Sequence, residues 1–379
     1  MPWQEVSIMS QRREFVMFAR TEETHLSTLC ERYGISRKTG YKWLRRFNAD
    51  GTAGLQDRSR RPAHTNNKTA DAVEQAVIKL RQKHPAWGAR KLRTRLQALG
   101  HTDLPAASTV HSILKRHGLI DPNAAVPSPP WQRFEHAAPN HLWQMDFKGH
   151  FALQTARCHP LTVLDDHSRF ALCLRACANE TGHTVRTQLT GTFEHYGLPD
   201  AMTMDNGAPW GSDAAHPHTA FTLWLMRLYI RVTHSRPYHP QTQGKDERFH
   251  RTLDIEVLRG PPFYDLAQAQ QRFDAWRAVY NLERPHEALG YRVPASRYRP
   301  SVRAFPRTLP PIEYGPDDLV RKVQCHGEFS FQGHAFRVSK CFHGFPIALR
   351  PTPEDGTFSL HFCATKIGSI DLRNPNLSP

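Results

Sequence analysis

The run at residues 141–153, H-L-W-Q-M-D-F-K-G-H-F-A-L, has the alternation of a half-buried strand, yet it sets Asp146 between Met145 and Phe147. Burying an unpaired carboxylate is costly, so such a strand calls for a cation or a specific partner beside it. The downstream segments define the scaffold. Residues 161–164 and 170–174 read as two further strands joined by the polar turn D-D-H-S-R, 181–196 as a helix, and 201–204 as a short strand ending in D-N-G. Residues 221–228 then read as a buried helix and 229–233 as another strand. Strands interleaved with helices predict an open α/β sheet, whose sites lie at the carboxyl ends of its strands. Asp205 falls at such an end, with Gly207 leaving the backbone open to a ligand.

Residues 235–258 read S-R-P-Y-H-P-Q-T-Q-G-K-D-E-R-F-H-R-T-L-D-I-E-V-L. Pro237 and Pro240 exclude regular structure in the first half. After Gly244, Phe249, Leu253 and Val257 recur at four-residue spacing and predict an amphipathic helix, with Glu247, Arg251 and Asp254 along a second face. A basic loop thus delivers Glu247 to the first turn of a helix. Singly, Asp146, Asp205 and Glu247 read equally well as capping or ion-paired residues; together they form an all-oxygen donor set that suits Mg²⁺ or Mn²⁺ better than zinc. Two such ions about 3.5–4 Å apart activate the attacking oxygen and stabilise the leaving one in phosphoryl displacement. Asn206, His239, Gln243, Lys245, Arg248 and Arg251 are candidate contacts to DNA phosphates or the scissile strand. Trp210 reads as core packing, with base stacking as the alternative.

Charge points the same way. The net charge is +15 and the sequence pI about 9.7, and residues 1–140 hold 23 Lys+Arg against 12 Asp+Glu, the remainder 27 against 23. A basic first third implies a polyanionic partner. Its segments lack the apolar face of an interfacial helix, which favours nucleic acid over a membrane. Leu26, Leu29, Cys30 and Tyr33 line one helix, Gly34 ends it, and Ser36 caps a second over 37–47. This is a helix-turn-helix pattern, with Arg37, Lys38, Thr39, Tyr41 and Lys42 toward the major groove and Trp43, Leu44 and Phe47 inward. Arg58, Arg60 and Arg61 lie in a basic linker suited to a minor-groove arm. A second trihelical pattern over 71–117 offers Ser108, Thr109, His111 and Lys115 as further DNA contacts. Seven scattered cysteines without a C-x-x-C pair fit a reducing cytoplasm, and neither a signal peptide nor a bilayer-spanning run is legible.

Taken together, W-x-M-D-F, V-L-D-D-H-S-R-F, D-N-G and R-P-Y-H-P-Q-T-Q-G-K-x-E-R-F-H-R-T-L resemble the catalytic core of DDE insertion-sequence transposases, relatives of retroviral integrases. The likeness runs over about 139–299, and L-C-E-R-Y-G-I-S-R-K-T-G-Y-K-W-L resembles the N-terminal part of bacterial members. The resemblance implies a multidomain α/β protein with an RNase H-like integrase core and all-α helix-turn-helix domains ahead of it. It places the family's two aspartates on Asp146 and Asp205 and its glutamate on Glu247, makes Asp165 and Asp166 turn residues, and implies two Mg²⁺ or Mn²⁺ ions per site. Double-stranded DNA, as element ends and as target, is the implied partner of a homodimer or higher oligomer, with no small-molecule cofactor and no membrane. The sequence departs from compact members at G-S-D-A-A-H-P-H, an expected insertion, and lacks the His/His/Cys/Cys zinc module of retroviral integrases.

The expected organisation is a first helix-turn-helix domain (1–53), a basic linker (54–67), a second helix-turn-helix domain (68–120), a Pro-rich linker (121–138), the core (139–300), another linker (301–318) and a small C-terminal β-barrel (319–379). The barrel is expected from alternating runs such as F-S-F-Q-G-H-A-F-R-V between turn residues. A DNA-binding repressor with an inactive core and a nuclease that only nicks are the rival readings.

Overall fold

Residues 7–21, 25–58, 69–121, 135–211, 218–234 and 244–374 are described by a computed structural model of the chain. It divides into two compact units, Met1–Lys68 and Thr69–Pro379.

The first unit packs α1 (Ile8–Phe18), α2 (Leu26–Arg32) and α3 (Arg37–Asp50) around Phe15, Val16, Leu29, Cys30 and Trp43. Ser36 Oγ accepts from the Thr39 amide at 3.2 Å and starts α3, while Gly34 makes the preceding turn at φ +62°. At Gly40 an added Cβ would lie 2.6 Å from Cys30 Sγ, so the bare backbone lets α3 close on its neighbours. The Arg12 guanidinium lies 4.0 Å from the centre of the Trp43 ring and the Lys42 ammonium 4.3 Å, both cation–π contacts. Leu55, expected in the linker, is buried in this core instead, because the 3₁₀ turn Gly51–Leu55 folds the chain back under α3.

In the second unit, α4 (Asp71–Lys83), α5 (Ala89–Ala98) and α6 (Ala107–Arg116) enclose Trp87, Val77, Leu92, Leu96, Val110, Ile113 and Leu114. The sheet beside them is mixed. Strands β1 (Trp143–Phe147), β2 (Phe151–Ala152) and β4 (Ala171–Cys177) all pair antiparallel with β3 (Arg157–Asp165). Parallel pairing joins β1 to β5 (Ala201–Met204) and β5 to β6 (Arg231–His234). This order fits the RNase H-like core expected from the motifs.

Side-chain alternation gives the sheet two buried faces. Met145, Leu161 and Val163 meet α7 (Gly182–Tyr196) and α8 (Ala220–Arg227) on one; Leu164 and Leu174 meet α9 (Gly244–Leu253) and α10 (Leu266–Leu282) on the other. Val279 of α10 also packs against the α4–α6 cluster, and Arg95 pairs with Glu283 at 2.7 Å. The stretch after the core, expected as a linker, is strapped to it: the Ser301 amide donates to Tyr196 O, the Leu198 amide to Arg303 O, and Phe305 and Leu309 join the apolar cluster.

The C-terminal strands do not close into the expected barrel. β7 (Leu319–Lys322), β10 (Pro346–Pro351), β11 (Thr357–Phe362) and β12 (Thr365–Asp371) form an open sheet in the order β12-β11-β10-β7, and β8 (Glu328–Phe331) and β9 (His334–Arg337) form a separate hairpin. Phe329, Phe331, Phe336, Phe342 and Phe362 fill the interior with Leu223 and Met226 of α8, so apolar packing covers what closure would have buried. Among the described residues no helix is long and apolar enough to cross a membrane.

Candidate active site

Asp146 lies on the central strand. In the parallel pair, Trp143 stands opposite Met202 and Gln144 opposite Thr203. Continued two residues beyond its last pair, that register runs from Asp146 toward Asp205, which comes directly after β5. Glu247 stands in the first turn of α9, where the helix's N-terminal partial charge favours an acid. His250 shares its side of the helix at i+3. Its Nε2 lies 2.8 Å from Thr162 Oγ, and that hydroxyl donates to the backbone carbonyl of Asp146 at 2.9 Å. Helix α9 is thereby tied to the strand pair at the level of Asp146.

Burial first, then the like charges of Asp205, Glu180 and Glu247, push the Asp146 carboxyl up to about 7, against the stabilising Phe147 amide. Asp146 thus lies within electrostatic reach of two acids distant in the chain. They are not gathered as tightly as coordination demands: among the described residues, no three Asp, Glu, His or Cys side chains are placed to hold a metal ion. The Asp205 side chain accepts from the Asn206 amide at 2.7 Å, and its carbonyl meets His234 Nδ1 at 3.0 Å, which fixes the strand end.

Several neighbours were not legible as site residues. Asp246 is fully buried with neither carboxylate oxygen hydrogen-bonded, and burial, then Asp146 and Asp166, hold its carboxyl well above the usual range. In sequence it reads as one more charge in K-D-E-R; the spacing from Phe249 that turns it inward was the available signal. Glu180, hydrogen-bonded to His159 Nδ1 at 2.8 Å, had no signal at all. Asp165 accepts from the Asn140 and Ser168 amides and from Ser168 Oγ, as a turn residue does, whereas Asp166 binds the Gln144 side chain, the His136 amide and the Lys245 ammonium.

Lys245, expected on DNA, thus has its ammonium on Asp166, while Arg248 and Arg251 are exposed and Asn206 is half-buried. His239, Gln243, Arg60 and Arg61 lie outside the described residues. Trp210 packs in the core, stacked 5.6 Å from Phe147. In the first unit Arg37, Lys38, Tyr41, Lys42 and Arg58 are exposed, with Arg58 paired to Asp50; Thr39 is half-buried, its hydroxyl 3.0 Å from the capping Ser36. On α6, Ser108, His111 and Lys115 are exposed and Thr109 half-buried.

Five family models match the chain. A helix-turn-helix domain covers residues 11–63, a homeodomain-like domain 39–114, integrase core domains 136–240 and 228–294, and the C-terminal domain of IS481 family transposases 318–378. A protein of insertion element IS476 from Xanthomonas euvesicatoria is 26% identical over 72% of this chain and 78% of its own length. One of insertion element IS407 from Burkholderia multivorans is 28% identical over 44% of this chain, and the match spans 59% of that relative. Among solved structures, an intasome of simian T-cell lymphotropic virus aligns with 78% of this chain and 99% of its own, at 17% identity and a TM-score of 0.37. Helix-turn-helix domains, then an integrase core, then an IS481-type C-terminal domain, together with relatives carried by insertion elements, make this chain an insertion-sequence transposase with an integrase-like core.

Proposed function

We propose that the chain binds the terminal inverted repeats of its element, nicks their 3′ ends and joins them to target DNA, with Asp146, Asp205 and Glu247 as catalytic metal ligands. What carries this reading is geometric: the β1–β5 register runs from Asp146 toward Asp205, and α9, with Glu247 in its first turn, is tied through His250 and Thr162 to the Asp146 carbonyl. Burial, then the like charges of Asp205, Glu180 and Glu247, disfavour the charged Asp146 carboxyl, which a cation would relieve. The donors are all carboxylates, which fits Mg²⁺ or Mn²⁺, and relief of their repulsion on ion binding favours drawing them closer than they stand. Bound ions would supply Lewis acidity to the attacking and leaving oxygens. The chain's own part is to hold the scissile phosphate against β1 and β5, with Arg248 and Arg251 toward the DNA backbone and the exposed faces of α3 and α6 on the repeats. Because two ends are joined in one event, the working form is a dimer or higher assembly on DNA. On this reading, 1–53 and 68–120 read DNA and 139–300 performs the chemistry.

Labelled element ends incubated with Mg²⁺ and a target plasmid give three distinguishable outcomes: binding alone, nicking alone, or joined products. Joined products from the unaltered chain, lost in Asp146→Asn, Asp205→Asn and Glu247→Gln while end binding survives, are expected. Joining that persists in any of these variants refutes the assignment of that carboxylate.

A further inference from the structure

We infer that Thr162 and His250 are positioning residues, forming a brace that sets Glu247 over Asp146; the inference rests on the catalytic reading above. Thr162 stands directly opposite Asp146 in the antiparallel β1–β3 pair. Its hydroxyl hydrogen is committed to the Asp146 carbonyl at 2.9 Å, so the 2.8 Å contact with His250 must be made by a proton on Nε2. The imidazole therefore donates, the hydroxyl relays, and the carbonyl of a ligand residue receives.

Three features make this more than an incidental contact. His250 is one helical turn beyond Glu247, so tying its ring to β3 fixes the azimuth of α9 as well as its distance from the sheet. The apolar anchors of α9, Phe249 and Leu253, lie on an adjoining stripe and resist withdrawal, but a ridge of side chains still permits rotation and sliding. A second tie lies before Glu247: Lys245 reaches Asp166, itself held by Gln144 of β1 and by the His136 amide. Glu247 thus sits between two polar clamps that both end on or beside the strand carrying Asp146. Loss of a partner that orients metal ligands typically costs about 10–100-fold in metal affinity or activity.

The test compares Thr162→Val and His250→Leu, which cut the brace, with Thr162→Ser and His250→Gln, which keep a hydroxyl and a donor near Nε2. Nicking at saturating element-end DNA and Mn²⁺ binding followed by electron paramagnetic resonance are read in parallel. Thr162→Val and His250→Leu should each lose about tenfold or more in nicking rate and bind Mn²⁺ more weakly, with end affinity unchanged. The conservative variants should recover most of both. Cutting the brace twice should cost no more than once, since one chain of hydrogen bonds is broken either way. Unchanged nicking and Mn²⁺ binding in the cut variants, additive losses, or failure of both conservative variants to recover would each overturn the brace. Where His250→Leu fails to fold, His250→Gln against His250→Asn decides: the shorter amide cannot reach Thr162 and should behave as a cut, and equal activities refute the proposal. Asp146→Asn run alongside separates the two readings: activity surviving in it discards the catalytic assignment, whereas activity lost in it but intact in His250→Leu discards the brace alone.

Discussion

The two helical modules are built on the same plan, three short helices closed on a tryptophan, Trp43 in the first and Trp87 in the second, but they use their basic side chains differently. In the first, Arg37, Lys38, Lys42 and Arg45 stand exposed along α3. In the second, much of the charge is turned inward. Arg81 donates to the carbonyls of Trp87 and Leu119 and Arg93 to that of Pro105, while Arg116, though exposed, is engaged by the buried Glu74. Arg95 and Arg90 reach Glu283 and Tyr291 beyond the module. Lys91, half-buried beside Arg284, has its ammonium pushed down to about 8, by burial first and by that arginine next. The first module is a compact unit of its own, whereas the second belongs to the unit that holds the catalytic core. Net charge along a stretch of sequence therefore overstates the surface available to DNA, because arginine also serves as a donor to backbone carbonyls and as mortar between domains.

The sharpest way to break this comparison is to empty each module's centre. Trp43→Ala and Trp87→Ala should each cost about 3–5 kcal/mol. Calorimetry of the full chain should show Trp43→Ala lowering a transition of the first module alone, with the core's melting unmoved. Trp87→Ala should lower the transition that includes the core, since Val279 of α10 packs on the same cluster. A Trp43→Ala chain whose core melts early would mean that the two units are not independent.

DNA binding gives a smaller, separate contrast. Replacing Arg37, Lys38 and Lys42 with alanine should lower the salt slope of end binding by about three if each neutralises a phosphate, whereas His111→Ala with Lys115→Ala should lower it by about one. The count tracks the cations removed from α3 and α6, not the charge of either region. Equal slopes for the two sets would erase the distinction.

How far the sequence carried can be judged at particular residues. Asp146 stood out as a candidate because a carboxylate between Met145 and Phe147 contradicts a strand's apolar alternation, and Asp205 because it ends a short strand before D-N-G. Both are local signals. Thr162 and His250 meet across 88 residues and carry no local oddity, since a threonine in a strand and a histidine on a charged helix are ordinary. Asp246 was hidden by its company: Lys245 and Glu247 on either side carried the candidate roles, although of Lys245, Asp246 and Glu247 only Asp246 is buried. The barrel failed for a related reason. Alternation predicts strands, but which edges pair depends on contacts between strands that the pattern does not encode.

The least costly change tests the seam itself. The Arg95–Glu283 pair is partly solvated, with side chains 19% and 31% exposed, so Arg95→Glu should cost only about 0.2–1 kcal/mol and the double exchange Arg95→Glu with Glu283→Arg should recover it. Its consequence for cutting should exceed its consequence for melting. On the proposed function, helix α6 meets DNA at a position set by the docking of α4–α6 on α10, and a loosened seam lets that position wander relative to Asp146. Sequencing the nicked ends should then show cleavage spread over neighbouring phosphates in Arg95→Glu and restored to one in the double exchange. Cleavage that stays at a single phosphate in the single variant would mean that the seam only adheres, and that the register of the cut is set within the core.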